Sequence, residues 1–180
     1  IDDFARGGLD LLVVSAGRYA GAPELSADPQ VGLRMAATNV SGLVYAFDCA
    51  ARHMAVRRAG QLVGIASVAG LLREYPGGSL YSTNKRTVIA LCELYRKTLA
   101  PLGIAVTTVV PGYVDTAKLR ELSGGDAGGK PFLMSEEEAV RRIVRAIGTR
   151  AAVTVFPWQL GSMIRVFNAL PLVFKRWRRK

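Results

Sequence analysis

Short apolar runs alternate with longer amphipathic stretches along this chain. Four such runs stand out: "LDLLVVSAG" at 9–17, "QLVGIASVAG" at 61–70, "GIAVTTVVPG" at 103–112 and "AAVTVFP" at 151–157. Apolar runs of this length are typical of strands that are buried on both faces of a parallel sheet. Since the stretches between them have helical spacing, the pattern predicts an α/β fold with a doubly wound parallel sheet.

Signals for helix ends mark the stretches between these runs. Ser26 or Asp28 can cap a helix after the first run, and Pro29 suits its first turn. Gly60 follows the last residue of that helical pattern and predicts its end. A later stretch, "SEEEAVRRIVRAIGTR" at 135–150, has a serine cap, an acidic first turn and a basic last turn. This order complements the helix dipole and predicts another helix.

A helix after the second run carries a candidate pair of reacting groups. It begins near Ser79 and is closed by Pro101 and Gly103. Tyr81 and Lys85 are four residues apart and therefore share one face. A neighbouring positive charge favours a phenolate and lowers the tyrosine pKa from about 10, which would suit proton transfer. The alternative is an exposed surface pair without a chemical role.

The first three predicted strands end in small residues, at 15–17, 67–70 and 111–112. In open α/β sheets, ligands bind in the crevice outside the carboxyl ends of the strands. Small residues at that edge let a ligand approach the backbone closely. The sequence therefore predicts a ligand site at this edge of the sheet.

Composition limits the class of protein. Half of the 180 residues are hydrophobic, which fits a single domain over residues 1–180. The net charge of +10 arises in residues 141–180, which contain ten Lys or Arg and no acidic residue. Because the rest of the chain is neutral, nucleic-acid binding is disfavoured. The basic amphipathic tail at 161–180 can pack over the cleft or a partner subunit, or contact an anionic membrane surface.

The two cysteines, Cys49 and Cys92, both lie in apolar helical patterns. A free thiol in such a place behaves as a small hydrophobe, so neither a disulfide nor a zinc site is expected. We therefore expect a reducing, cytoplasmic compartment. The apolar runs are shorter than the roughly 20 residues that a membrane span requires.

Five short motifs add a family resemblance. In chain order they are "SAG" (15–17), "TNVSG" (38–42), "IASVAG" (65–70), "YSTNK" (81–85) and "PGYVDT" (111–116). In this order, each on its expected element, they resemble the motifs of the short-chain dehydrogenase/reductase family. The resemblance covers residues 9–160 and implies a Rossmann-like fold that uses NAD or NADP to reduce a carbonyl or oxidise a secondary alcohol.

The resemblance also implies roles for individual residues. Tyr81 is expected to exchange a proton with the substrate, and Ser67 to hydrogen-bond the same oxygen and orient it. Lys85 would also bind the nicotinamide ribose, and Asn39 would hold a water that links the lysine to solvent. The expected cofactor contacts comprise Ala16, Gly17, Tyr81, Lys85, Pro111, Gly112, Val114 and Thr116. A small-molecule carbonyl or alcohol substrate and a homodimer or homotetramer are implied as well.

One family feature has no counterpart in the sequence. The phosphate-binding turn T-G-x-x-x-G-x-G is missing, and "GGDAGG" at 124–129 has the wrong spacing. The expected first part of the sheet, about 70 to 80 residues, would carry it. Either the chain is part of a longer enzyme, or it is a short chain that does not hold a dinucleotide. The leading prediction is an oxidoreductase; the alternative is a non-catalytic oligomerisation or binding domain that has lost its cofactor.

Overall fold

The computed structural model describes residues 8–72 and 79–169. Within them, a sheet of four parallel strands has the order β1-β2-β3-β4. The strands are β1 (Leu11–Val14), β2 (Gly60–Ile65), β3 (Ile104–Pro111) and β4 (Val153–Phe156). The helices are α1 (Ala22–Ala27), α2 (Pro29–Ala36), α3 (Gly42–Arg57), α4 (Leu80–Leu99), α5 (Ala117–Leu122), α6 (Glu136–Gly148) and α7 (Trp158–Ala169). The predicted α/β fold with a parallel sheet is confirmed.

Helices cover both faces of the sheet, which explains why the inner strands are apolar throughout. Leu62 packs in a cluster with Phe47 of α3 and Cys92 of α4, whereas the next residue, Val63, packs with Ala139 of α6. Successive residues of a strand point to opposite faces, so β2 is buried on both. In contrast, β1 is at the edge of the described sheet and leaves Leu11 and Val13 about 40% exposed.

The connection between β1 and β2 departs from the single helix that the sequence predicts. Asp28 does cap α2, since its side chain accepts a hydrogen bond from the backbone N–H of Gln30 at 2.8 Å. A π-helical turn (Ala37–Ser41) then separates α2 from α3. The predicted end at Gly60 is wrong: α3 ends at Arg57, because Arg58 adopts a left-handed conformation with φ of 50°.

Both ends of α4 lie where the sequence predicts them. Ser79 accepts a hydrogen bond from the N–H of Ser82 at 3.1 Å, and the Ser82 hydroxyl accepts one from the N–H of Ser79 at 2.8 Å. At the other end, a 3₁₀ turn (Ala100–Leu102) leads into Gly103, whose φ of 72° suits a glycine. This long helix is therefore fixed at both ends, and its first two turns carry Tyr81 and Lys85.

The C-terminal third is built from α5 to α7. The Ser135 hydroxyl accepts a hydrogen bond from the N–H of Glu138 at 3.2 Å, which confirms the predicted cap of α6. Asn168 of α7 donates to the carbonyl of Leu71 at 2.7 Å and ties the helix to the 3₁₀ turn (Val68–Leu71) that follows β2. Residues 170–180, the most basic part of the predicted tail, lie outside the described residues, so its membrane contact stays a prediction.

Candidate active site

The end of β2 places Ser67 against α4. The Ser67 hydroxyl accepts a hydrogen bond from the N–H of Ala69 at 3.2 Å and so starts a 3₁₀ turn (Val68–Leu71). A Cβ at Gly70 would lie only 2.7 Å from the carbonyl carbon of Lys85 and 2.8 Å from the backbone nitrogen of Arg86. Since no side chain fits there, the turn packs directly on the α4 backbone. This contact brings Ser67 within hydrogen-bonding reach of Tyr81.

Tyr81 is half-buried at the start of α4. Burial raises the pKa of its phenol above the ordinary value of about 10; a hydrogen bond from Ser67 acts in the opposite direction, and Tyr19 adds to the rise. The prediction that the pKa of Tyr81 lies below its ordinary value is therefore wrong for the described chain. The physical reason is that removing the phenol from water disfavours the phenolate more than its neighbours favour it.

Lys85 lies beside Tyr81 with its ammonium aimed at the backbone. Its Nζ is 5.8 Å from the centre of the Tyr81 ring and donates a hydrogen bond to the carbonyl of Ile65 at 3.0 Å. The side chain is only 5% exposed, and this burial lowers the pKa of the ammonium. A Cβ at Gly17 would lie 3.3 Å from this Nζ, so the end of β1 approaches Lys85 closely.

Asn39 lies in the π-helical turn and is 2% exposed. Its Oδ1 accepts from the N–H of Arg18 at 2.7 Å, and its Nδ2 donates to the carbonyl of Arg18 at 2.9 Å. Single π-helical turns inside α-helices are frequent at functional sites. The buried amide thus fixes the turn that follows β1 and carries Ala16 and Gly17.

The remaining predicted residues follow β3. The N–H of Gly112 donates to the carbonyl of Phe156 at 2.7 Å, which joins the residue after Pro111 to the end of β4. Val114 forms a parallel bridge with Met134, and Thr116 caps α5 by accepting from the N–H of Leu119 at 3.0 Å. The structure thus joins Asn39, Ser67, Tyr81 and Lys85 through the turns at the ends of β1 and β2. It places Pro111 to Thr116 at the neighbouring strand end, held by other contacts.

The sequence analysis did not predict two residues that lie at this site. Tyr19 makes an edge-to-face contact with Tyr81, with ring centres 5.1 Å apart. Gly70 allows the close packing under Ser67. A sequence signal existed for each, because Tyr19 lies two residues beyond the small-residue end of β1 and Gly70 closes the second small-residue turn.

Comparison with known families then decides the class of protein. A family model described as short chain dehydrogenase matches residues 2–127, well over half of the chain. The chain belongs to the short chain dehydrogenase family. The family predicted from the five motifs is thereby confirmed, and it is a family of oxidoreductases.

Relatives among curated proteins agree with this assignment. An uncharacterized oxidoreductase from Myxococcus xanthus is 34% identical over 170 residues, which cover 94% of this chain and 65% of that protein. A dehydrogenase/reductase SDR family protein 7-like from Anopheles gambiae is 34% identical over 122 residues, or 67% of this chain and 38% of that protein. The chain thus spans less than two thirds of the length of these relatives.

Solved structures of short chain dehydrogenases have the same fold. The enzyme from Sphingobium yanoikuyae in complex with NADPH superposes with a TM-score of 0.73 at 24% identity, over 90% of this chain and 66% of that one. A gluconate 5-dehydrogenase from Burkholderia cenocepacia, in complex with NADP and tartrate, has a TM-score of 0.62 at 31% identity. That match covers 71% of this chain and 50% of the other.

Other kinds of site find no support in the part of the chain that the structure describes. There, no group of three or more His, Cys, Asp or Glu side chains is arranged to hold a metal ion. None of the helices in residues 8–72 and 79–169 has the length and apolar character that crossing a membrane demands. Cys49 and Cys92 are both buried as free thiols, and burial raises the pKa of Cys92 to about 11.

Proposed function

We propose that this chain is the catalytic part of an oxidoreductase that transfers a hydride between NAD or NADP and a carbonyl or secondary alcohol. The observation that carries this proposal is the meeting of Ser67, Tyr81 and Lys85 where β2 and α4 come together, at the carboxyl edge of the sheet. Ligands of open α/β sheets bind at that edge. Membership of the short chain dehydrogenase family supports the same chemistry.

In the proposed reduction, the carbonyl carbon accepts a hydride, the carbon–oxygen double bond becomes single, and the oxygen takes the proton of Tyr81. The raised pKa keeps this phenol protonated at neutral pH, which suits a proton donor. The Ser67 hydroxyl, which hydrogen-bonds Tyr81 in the structure, would turn its single proton to the same oxygen and stabilise the charge that develops there. For alcohol oxidation the proton would move in the opposite direction.

The residues around Lys85 and after β3 fit the nicotinamide end of NAD or NADP. The cofactor supplies or accepts the hydride when bound. Gly17 leaves space beside the Lys85 ammonium, since a Cβ there would lie 3.3 Å from Nζ. Lys85 and Tyr81 would hold the ribose, with Ala16 and Gly17 beside them, while Pro111, Gly112, Val114 and Thr116 would hold the carboxamide end. Thr116 uses an acceptor lone pair for its cap, so its hydroxyl proton can still donate.

A homo-oligomer through α3 and α4 is part of the proposal. Three large apolar side chains of these helices are more than half exposed: Tyr45 at 72%, Val56 at 87% and Leu94 at 59%. Exposed apolar patches often mark protein–protein interfaces. Size-exclusion chromatography with light scattering should show a dimer or tetramer, and Val56→Asp should shift it toward monomer. A wild-type chain that elutes as a monomer would contradict this part.

A matched pair of tyrosine variants tests the catalytic role. Full-length protein is assayed with NADH and NADPH against ketones and secondary alcohols. We expect Tyr81→Phe to lower kcat by about a hundredfold or more, since it removes the proton donor. Tyr95→Phe makes the same change on the same helix and serves as the control. The Tyr95 hydroxyl donates a hydrogen bond to Asp48 at 2.5 Å and has no part in the proposed reaction. This variant should retain most of the activity.

The outcomes separate the two functions that the sequence left open. Equal turnover in wild type and Tyr81→Phe would exclude Tyr81 as the proton donor. Absence of turnover and of cofactor binding, measured by NADPH fluorescence, would favour the non-catalytic binding domain instead.

A further inference from the structure

Tyr19 forms one wall around the candidate proton donor. It follows the turn after β1, and its ring meets the Tyr81 ring at 72° with centres 5.1 Å apart. Aromatic rings favour this edge-to-face arrangement. The Tyr19 side chain is nevertheless 49% exposed, so the contact with Tyr81 uses only part of its surface. Part of the Tyr19 surface is therefore left open beside Tyr81.

The backbone on both sides of Tyr19 is fixed. Asn39 holds Arg18, the residue before it, through hydrogen bonds of 2.7 and 2.9 Å. On the other side, the N–H of Gly21 donates to the Glu24 carboxylate at 2.7 Å. Both contacts hold the main chain that carries Tyr19, and the contact with Tyr81 positions its ring.

A second apolar side chain lies next to Tyr81. Leu80 precedes it at the start of α4 and is 39% exposed. A Cβ at Gly32 of α2 would lie 3.0 Å from Leu80 Cδ2, so α2 packs closely against this leucine. Tyr19 and Leu80 thus leave partly exposed apolar surface at the start of α4, and of the two it is Tyr19 that contacts the Tyr81 ring.

We propose that Tyr19 contacts the substrate and favours carbonyl compounds that carry an aromatic ring beside the carbonyl group. This inference rests on the proposed function, because it assumes that the substrate oxygen meets Tyr81. An aryl ring next to that oxygen would lie where the open face of Tyr19 can pack on it. A small aliphatic ketone would leave that face unused.

Two ketones and three variants test the inference. The reduction of acetophenone and of acetone is assayed with full-length wild type, Tyr19→Phe, Tyr19→Ala and Met163→Ala. Circular dichroism checks that each variant is folded. We expect Tyr19→Ala to lower kcat/KM for acetophenone by roughly tenfold, the upper range of an aromatic contact, and for acetone much less. Tyr19→Phe keeps the ring and should retain the preference. Met163 is a similarly exposed apolar residue on α7, at 57%, and serves as the control.

A binding measurement separates this inference from the proposed function. Saturation-transfer NMR of acetophenone and acetone needs no turnover and should show acetophenone contact that Tyr19→Ala removes. Equal losses for both ketones in Tyr19→Ala would overturn the substrate contact and leave the oxidoreductase proposal intact. Tyr19-dependent acetophenone binding without turnover would support the contact and contradict the oxidoreductase proposal. Acetophenone binding unchanged by Tyr19→Ala would overturn the inference.

Discussion

The candidate catalytic cluster (Asn39, Ser67, Tyr81 and Lys85) and the connection from β3 to α6 (residues 112–134) are held in different ways. In the cluster, Asn39 and Lys85 are almost fully buried and bond to backbone groups 21 and 20 residues away. In the connection, most side-chain hydrogen bonds join residues at most five apart, such as Lys118 to Glu121 at 2.9 Å. Buried long-range contacts tie the cluster to global folding, whereas local exposed contacts let the connection open independently.

Matched glycine exchanges test this difference with the largest expected effect on stability. Gly70→Ala places a Cβ 2.7 Å from the α4 backbone, where neither partner can move easily. We expect the free energy of unfolding to fall by about 3 kcal/mol and turnover to fall with it, as for other overpacked sites. Gly129→Ala in the connection meets no atom within 4 Å and should change stability by less than about 0.5 kcal/mol. Chemical denaturation measures both, and equal effects would erase the contrast.

Neighbouring residues on the π-helical turn provide the next comparison. Asn39→Ala leaves the N–H and carbonyl of Arg18 without their partners, which should cost about 2 kcal/mol. The control is Thr38→Ala, because Thr38 is only partly buried and its hydroxyl donates to the carbonyl of Arg34, four residues earlier, at 3.0 Å. Its loss should be within about 0.5 kcal/mol. Thermal and urea unfolding measure the difference. An Asn39→Ala protein of wild-type stability would show that the two hydrogen bonds between Asn39 and the Arg18 backbone do not stabilise the fold.

Two helix caps give a smaller effect in each region. Ser79 caps α4, and Thr116 caps α5 in the connection. Replacing Ser79 by Ala should lower the free energy of unfolding by about 1 kcal/mol. Replacing Thr116 by Ala should lower it by less than half of that, since α5 buries no side chain and frays locally. Hydrogen exchange of α5 should nevertheless rise in Thr116→Ala; an equal global loss for both caps would show that the connection unfolds with the core.

The smallest expected effect is in the absorbance titration of Tyr81, which is one of six tyrosines. Because burial raises the pKa of Tyr81, its phenolate absorbance, taken as wild type minus Tyr81→Phe, should develop above pH 10. The folded chain holds this proton more tightly than the unfolded chain. The corresponding stability is therefore present below about pH 10 and is lost as the pH rises through the folded pKa. A Tyr81 phenolate formed below pH 10 would instead show that the charge of Lys85 outweighs burial.

Local patterns in the sequence were enough to predict the fold class, several helix caps and the family, while the roles of the site residues stay predictions. Alternating apolar runs predicted the parallel sheet, and Asp28, Ser79 and Ser135 were correctly predicted as caps because capping depends on residues two to three positions apart. The five motifs were sufficient to predict the family, which the family model confirms.

The tertiary structure decided how these residues meet. It set the direction of the Tyr81 pKa, the clamp of Asn39 on Arg18, the packing of Gly70 on α4 and the contact of Tyr19 with Tyr81. Each of these depends on atoms that are far apart in sequence and come together only when the strand ends and helices pack. Burial in particular is a property of the assembled fold, so no spacing of Tyr81 and Lys85 along one helix could reveal that desolvation raises the pKa of the phenol.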